Sequence, residues 1–304
     1  MRKVAVIGIG SNSVRMLIAE VEPEGFRRLT RDREGTRLFA GLDERGNLNR
    51  ESMEKTAGAV SRMARSAERI GCGEMHIFAT SATRDARNGE TFLKMLRERT
   101  DTEPEIVSGE EEAHLSFLGA TEIAPAGKPC GVIDIGGGST EIVIGQGARI
   151  DVALSCQMGA VRLFRLLSIF RREDMPAVEA AAEGILEEQW QEAWNSRLPG
   201  CWIGTGGTFT ALAALARGIH WTDRTFMHGT VLQRDRIREI GETLADMTPA
   251  ERLKLEGLQP SRADIVVHGI CILLAVMGKL NIEEIRVSEY GNLDGYIRKH
   301  YFPE

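Results

Sequence analysis

Cysteine is scarce in this 304-residue chain. The five cysteines are Cys72, Cys130, Cys156, Cys201 and Cys271. Their number is odd, they are scattered, and no two of them form a CxxC pair, so the sequence argues against a disulfide framework and against a zinc site. We therefore expect the cysteines to be core residues of a protein in a reducing compartment, the cytoplasm.

An excess of positive charge is missing as well. Lysine and arginine total 38 residues against 44 aspartates and glutamates, which gives a formal net charge of −6. No general positive field is available to hold DNA, RNA or an anionic membrane. Any polyanionic substrate has to be bound by local groups.

Long hydrophobic runs are absent too. The longest apolar segment, residues 265–277, is interrupted by His268 and Gly269 and is too short to span a bilayer. It predicts a buried helix in which His268 is a hydrogen-bonded core residue. Because the apolar run at the start ends at Gly8, we also expect no signal peptide.

A duplicated string is the main feature that the sequence does have. VIGIGSNS at residues 6–13 aligns with VIDIGGGS at residues 132–139, and the offset is 126 at both ends, since 134 − 8 = 139 − 13 = 126. Each copy predicts a β-hairpin with a Gly/Ser turn, over 4–9 and 14–21 and over 131–135 and 141–144. The length suits about two domains, and we place them at residues 1–124 and 125–304.

Hydrophobic spacing predicts the other elements. We expect helices over 51–70, 91–99, 175–195 and 209–217, and strands over 75–79, 105–107 and 201–203. A further helix is expected to begin at Ser108, because Ser108-Gly109-Glu110-Glu111 has the form of a capping box.

Three glycine-rich turns are candidate phosphate sites. A strand rather than a helix follows each of the first two, and no GxxxxGK[ST] string exists, so dinucleotide-fold and P-loop readings fail. A single such turn is explained better as a tight hairpin that needs glycine than as a phosphate site. Together with GTGGT at 204–208, where a helix begins, the turns favour anion binding through backbone amides. The predicted phosphate-binding residues are Gly10, Ser11, Asn12, Ser13, Gly136, Gly137, Gly138, Ser139, Thr140, Gly206, Gly207 and Thr208.

A family resemblance rests on eight strings in order. They are VIGIGSNSVRMLIAE, ATSATRDARNG, SGEEEAHLSFLG, VIDIGGGSTEIVIG, SCQMGAVRL, GTGGTFTALAAL, PSRADIVVHG and VSEYGNLDGY. With this set the chain resembles the exopolyphosphatase and guanosine pentaphosphate phosphohydrolase family from about residue 4 to about residue 297. The resemblance implies an α/β fold of two duplicated ribonuclease-H-like domains, as in actin, with the active site in the cleft between them. It also implies a homodimer.

The same resemblance implies an activity, the Mg²⁺-dependent attack of water on a terminal phosphoanhydride. The chain looks like the short form of the family, which lacks the extra C-terminal domains that help to hold long polyphosphate. We therefore expect short polyphosphate or guanosine pentaphosphate as substrate. Two alternatives stay open: a sensor that binds such ligands without cutting them, and a small-molecule kinase of the same fold.

Matching motifs imply the site residues. Glu112 corresponds to the catalytic glutamate, and Arg84 to an arginine that contacts substrate phosphate. Asp134 and Glu141 correspond to residues around the metal. A carboxylate about 4 Å from a phosphate charge costs about 4 kcal/mol at an effective dielectric of 20, so a countercharge such as Mg²⁺ is expected.

Each of these residues also has a structural alternative. Glu112 shares a first helical turn with two other glutamates, where carboxylates suit the helix dipole. Arg84 could be a surface arginine paired with Asp85 or another carboxylate, and the carboxylates at 134 and 141 could bind loop amides.

Gly8 is the chief departure from the family pattern, which has an aspartate there, as the second copy does at Asp134. We expect the missing carboxylate to weaken cation binding and also to remove one repulsion of an anionic substrate. The resulting hypothesis is a working but slower enzyme with a raised Mg²⁺ requirement.

Overall fold

Two mixed β-sheets, one in each half of the chain, organise the fold. The computed structural model describes residues 2–303. The first sheet has the order β3-β2-β1-β4-β5, and the second has the order β10-β11-β9-β6-β7-β8. The strands are β1 (Arg2–Ile9), β2 (Ser13–Glu22), β3 (Gly25–Gly35), β4 (Glu74–Ala79), β5 (Pro104–Ile106), β6 (Cys130–Ile135), β7 (Thr140–Gln146), β8 (Arg149–Cys156), β9 (Trp202–Thr205), β10 (Val231–Gln233) and β11 (Glu284–Val287).

The duplication seen in the sequence is repeated in the strand pairing. Strand β1 is antiparallel to β2 and parallel to β4, and β6 is likewise antiparallel to β7 and parallel to β9. Both predicted hairpins are confirmed. The sequence did not predict the third antiparallel strand of each sheet, β3 or β8, because charged residues obscure the alternation along both strands.

Eleven α-helical segments occur among residues 2–303. They are α1 (Arg50–Ile70), α2 (Ser81–Arg84), α3 (Gly89–Thr100), α4 (Gly109–Ala120), α5 (Ala160–Leu166), α6 (Met175–Gln189), α7 (Gly207–Arg217), α8 (Arg234–Ala245), α9 (Pro249–Arg252), α10 (Val266–Lys279) and α11 (Asn292–Tyr301). The helix predicted over 175–195 is six residues too long. The backbone becomes extended at Trp190 and continues as a 3₁₀ turn over Glu192–Arg197, where the Trp190 indole donates to Asn195.

The apolar segment is a buried core helix, as predicted. Helix α10 is surrounded by the core of the second half, and His268 Nε2 lies 2.8 Å from the Leu167 carbonyl oxygen. Cys130, Cys156 and Cys271 are buried and the other two cysteines are half-buried, all with free thiols. Within residues 2–303, every helix is too short or too polar to cross a membrane.

Helices α4 and α11 are exchanged between the two sheets. Helix α4 follows a strand of the first sheet but packs on β6, β7 and β8, whereas α11 follows the second sheet but packs on β1 and β2. The two helices approach so closely that a β-carbon at Gly119 would overlap the backbone of Gly291, at the start of α11, and one at Gly295 would overlap the backbone of Leu115 in α4. The division after residue 124 therefore stays a prediction, since in space each half contributes one helix to the other. As a result, α4 carries residues of the first half to the second sheet.

Candidate active site

A row of polar residues crosses the second sheet where the sequence placed its metal site. Asp134 on β6 lies directly opposite Glu141 on β7, and Glu141 lies directly opposite Ser155 on β8. The two carboxylates are only 6% and 1% exposed. Like charges in directly opposed positions destabilise a sheet, so this arrangement requires a proton or a countercharge.

Among the described residues, the two carboxylates have no basic partner within ion-pair distance. No ion pair found within residues 2–303 involves Asp134 or Glu141. Burial raises the pKa of Glu141 well above its usual range, and the neighbouring Glu112 and Asp134 raise it further. The hydroxyls of Ser139 and Ser155 oppose this rise in pKa. A bound proton or a cation would balance this charge pattern.

Hydroxyl groups, not loop amides, bind the two carboxylates. Ser116 Oγ lies 2.7 Å from Asp134 Oδ2, and Ser155 Oγ lies 2.8 Å from Glu141 Oε1. In the part of the chain that the structure describes, no backbone amide donates to either carboxylate. The alternative in which these carboxylates bind loop amides is therefore wrong.

Glu112 lies in the first turn of α4 and faces the same pocket. The Ser108 hydroxyl caps this helix by accepting from the Glu111 amide at 3.0 Å. The Glu111 carboxylate turns outward to Lys299, so the reciprocal bond of a capping box does not form. Glu112 is 7% exposed and accepts from Arg84 Nη1 at 3.0 Å. Burial raises the pKa of Glu112, and the Arg84 guanidinium opposes that rise.

Arg84 supports Glu112 from behind rather than lining the pocket. Its Nη1 also donates to the Val107 carbonyl at 3.0 Å, while its buried Nη2 has no partner among the described residues. Asp85 pairs with Arg162 instead. Arg84 does not pair with Asp85, but its ion pair with Glu112 is the pairing with another carboxylate that the structural alternative allowed. Contact between Arg84 and substrate stays a prediction.

The three predicted glycine-rich turns meet at one pocket. The predicted residues that line it are Gly10, Ser11, Asn12, Ser13, Gly136, Gly137, Ser139, Gly206 and Gly207, together with Glu112, Asp134 and Glu141. Asn12 Nδ2 is buried there without a hydrogen-bond partner in the described chain. A buried donor of this kind is costly unless a ligand satisfies it.

Three of the predicted phosphate-binding residues lie away from the pocket. Thr140 Oγ1 donates to the Met158 carbonyl, and Thr208 packs against Gly269 of α10. Gly138 faces Ser81 and leaves no room for a side chain. The sequence pattern marked whole turns, whereas these three residues contact other parts of the protein.

Arginines on the opposite wall are the residues that sequence reasoning missed. Arg15, Arg33 and Arg262 line the same pocket as the carboxylates. Burial, with Arg15 nearby, lowers the pKa of Arg262 to about 10. Burial and the charges of Arg262, Arg15 and Arg224 lower the pKa of Arg33 well below its usual value. Within the described residues, the hydrogen-bond partner of the Arg33 side chain is the Ser13 hydroxyl, 3.2 Å from Nε.

The missed arginines occupy the same row of the first sheet that the carboxylates occupy in the second. Gly8 on β1 lies opposite Arg15 on β2, and Arg15 lies opposite Arg33 on β3. Since 141 − 15 = 126, Arg15 is the counterpart of Glu141 in the duplicated hairpin. The constant offset of 126 residues was enough to predict Arg15 from the sequence. Arg33 lies on β3, which was not predicted, so its place beside Arg15 could not be predicted either.

The positive wall continues beyond the carboxylate pocket. A neighbouring pocket shares Arg15 and Arg33 and adds Arg31 and Arg224. Arg31 is neutralised by Glu289, at 2.9 Å, and by Asp294. Burial, together with Arg31 and Arg15, lowers the pKa of Arg224. The guanidinium groups therefore form a continuous, poorly neutralised surface, which we call the arginine wall (Arg15, Arg33, Arg224 and Arg262).

Gly8 lies at the edge of this region, against helix α11. A β-carbon at Gly8 would be 2.9 Å from Leu293 Cδ2 and 3.1 Å from Phe78 Cζ. The position of the missing carboxylate is filled by apolar side chains rather than left open.

The architecture defines the class of protein. Two duplicated ribonuclease-H-like halves with glycine-rich turns around a shared pocket form an α/β protein of the actin-like superfamily. The chain is similar to the crystal structure of an Aquifex aeolicus Ppx/GppA family member, with a TM-score of 0.81 and 26% identity over 97% of this chain and 96% of that one. It is also similar to the structure of an exopolyphosphatase-like protein, with a TM-score of 0.90 and 28% identity over 98% of both chains.

Family membership follows from the sequence comparisons. The family model of the Ppx/GppA phosphatase family matches residues 17–300. The exopolyphosphatase 2 of Mycobacterium tuberculosis is 31% identical over 315 residues, which cover 97% of this chain and 97% of that protein. The chain belongs to the Ppx/GppA phosphatase family, as the sequence motifs predicted.

Proposed function

We propose that this phosphatase is an exopolyphosphatase-type hydrolase that releases the terminal phosphate of short inorganic polyphosphate, guanosine pentaphosphate or both. The single observation that carries the proposal is the meeting of a carboxylate row and an arginine row in one pocket. The name of the mycobacterial relative supports polyphosphate as the substrate class. Homodimerisation and a cytoplasmic location stay predictions.

The arginine wall accounts for the binding of a polyanion. Burial is the main cause of the lowered pKa values of Arg33, Arg224 and Arg262, and the charges of neighbouring arginines lower these values further. Guanidinium groups bind phosphate oxygens through paired N–H donors. A ligand with several phosphates would relieve this repulsion along its whole length, which a single phosphate ion could not do.

The carboxylate row fits Mg²⁺. No cluster of three or more acidic, histidine or cysteine side chains close enough to hold a metal occurs within residues 2–303. Asp134 and Glu141 form a pair without a basic partner, and Mg²⁺ is commonly held by one or two carboxylates with the remaining positions taken by water and substrate phosphate. When bound, the ion would neutralise charge on the phosphate group and polarise it.

Glu112 is the group placed to accept the proton of the attacking water. Its burial raises the pKa of its carboxyl group, which makes it a better base near neutral pH than an exposed glutamate. The bond from Arg84 holds one oxygen, Oε2, in place. Correct placement of such a base contributes about 10²- to 10⁴-fold to a rate.

The test is phosphate release from tripolyphosphate and guanosine pentaphosphate across a Mg²⁺ titration. Glu112→Gln should reduce the rate at least about 100-fold. Glu110→Gln is the matched control, because Glu110 is exposed in the same helical turn. Equal rates for native protein and Glu112→Gln would contradict the proposal.

Gly8 favours one second candidate, a sensor that binds the same ligands without cutting them. One carboxylate fewer than the family pattern would weaken the hold on Mg²⁺ while the arginine wall stays intact. Tight tripolyphosphate binding with no phosphate release at any Mg²⁺ concentration would support the sensor. Phosphorylation of a small molecule by ATP would instead support the kinase alternative.

A further inference from the structure

Each carboxylate of the candidate cation site has its own serine. Ser155 is the cross-strand neighbour of Glu141, and its hydroxyl lies 2.8 Å from Oε1. Ser116 is fully buried on α4, and its hydroxyl lies 2.7 Å from Asp134 Oδ2. In both pairs the serine engages one carboxylate oxygen and leaves the second oxygen to another partner.

Glycines leave room for Ser155 and for the second oxygen of Asp134. A β-carbon at Gly109 would be 2.8 Å from both Cβ and Oγ of Ser155, so glycine there gives the serine its place. The second oxygen of Asp134, Oδ1, faces Gly206, where a β-carbon would be only 2.6 Å away. The free side of this carboxylate is thus kept open by a glycine of a turn that lines the pocket.

Helix α4 links these contacts to the proposed base. Ser116 follows Glu112 by four residues, one helical turn, so both project from one face of α4. The helix begins at Gly109, beside Ser155. One element of the first half therefore places the proposed base beside both carboxylates of the second half.

We propose that Ser116 and Ser155 are positioning residues, which hold Asp134 and Glu141 so that the second oxygen of each faces the cation and the substrate phosphate. This inference rests on the cation site of the proposed function. Hydrogen-bonded partners behind metal-binding side chains fix the orientation of those side chains, and their removal typically costs about 10- to 100-fold in metal affinity or activity. A serine that served packing alone would have no such effect.

The test uses Mn²⁺ as a spectroscopic probe of the site. Mn²⁺ is titrated into metal-free protein, and the free ion is measured by electron paramagnetic resonance. Ser155→Ala and Ser116→Ala should each weaken Mn²⁺ binding about 10- to 100-fold. Ser61→Ala is the matched control, because Ser61 is also buried but donates to the Ala57 carbonyl within α1. Its Mn²⁺ affinity should equal that of the native protein.

A second measurement separates positioning from general damage. Tripolyphosphate binding, followed by calorimetry in a metal chelator, depends on the arginine wall and should be unchanged in both serine variants. Mn²⁺ affinity within twofold of native for either variant would overturn its positioning role, as would an equal loss of Mn²⁺ and tripolyphosphate binding. A native protein that binds no Mn²⁺ would also overturn the inference.

The proposed function can fail separately. Native protein that binds Mn²⁺ with the expected serine dependence, yet releases no phosphate, would contradict the hydrolase and leave the positioning roles supported. Phosphate release without Mn²⁺ binding would support the hydrolase and contradict the positioning roles.

Discussion

Arg15 and Glu141 occupy the same position in the two copies of one hairpin. Each lies on the second strand, directly opposite the residue that precedes the glycine-rich turn by two positions, Gly8 or Asp134. The duplicated halves have thus diverged into opposite charges at equivalent points, and the pocket between them receives both. Such an arrangement suits a substrate of phosphates and a cation better than it suits either alone.

Removal of one charge from the arginine wall should stabilise the free protein. Arg33→Gln relieves repulsion from Arg15, Arg224 and Arg262, so we expect an unchanged or higher melting temperature together with weaker tripolyphosphate binding. Differential scanning fluorimetry with and without tripolyphosphate measures both. Arg27→Gln is the control, because Arg27 is exposed on the same strand and pairs with Glu20. A lower melting temperature without ligand, combined with unchanged tripolyphosphate binding, would contradict this prediction.

Neutralising Glu141, on the carboxylate side of the pocket, should also stabilise the free protein. Burial and two neighbouring carboxylates raise its pKa, so ionisation of Glu141 opposes folding increasingly as the pH rises from the ordinary glutamate pKa to the raised value. Glu141→Gln should therefore raise the free energy of unfolding at pH 8. Urea unfolding in a metal chelator measures it. A loss of stability would show that the carboxylate is already neutralised within the protein.

Much of the fold could be predicted because the hairpins and long helices carry strong local patterns. The 126-residue offset gave both hairpins, and the motif resemblance selected Glu112 over Glu111, a choice that helical spacing did not support. The arginine wall could not be predicted, because Arg33 and Arg262 come from segments far apart in the chain. Their meeting depends on an irregular edge strand and on the packing of the two halves, which leave no local pattern.

Gly8 and Leu293 should be energetically coupled. Gly8→Asp places a carboxylate against Leu293 and Phe78, and we expect it to lower the free energy of unfolding by about 1–3 kcal/mol. Leu293→Ala should remove part of that cost, because it opens the space and Arg15 lies directly opposite Gly8. The sum of the two single effects should therefore exceed the effect of the double variant.

A double-mutant cycle of urea unfolding measures this coupling. Additive effects would show that Leu293 does not occupy the place of the missing side chain. The cycle also shows which variant with aspartate at position 8 should be compared with the native protein for its Mg²⁺ requirement. In Gly8→Asp alone, a change in Mg²⁺ requirement would be mixed with the loss of stability. In the double variant the new carboxylate has space, so a change in Mg²⁺ requirement can be assigned to the carboxylate itself.

Arg84 should set the acid limit of activity through Glu112. The positive charge of Arg84 lowers the pKa of Glu112 against the effect of burial, so Arg84→Met should raise that pKa further. A base must be ionised to accept a proton, and the acid limb of the kcat/KM profile should therefore move to higher pH. Arg97→Met is the control, because Arg97 is an exposed residue of α3 that pairs with Glu103. Its profile should match that of the native enzyme. A uniform fall in kcat/KM without movement of the acid limb would mean that Arg84 contacts the substrate rather than tuning the base.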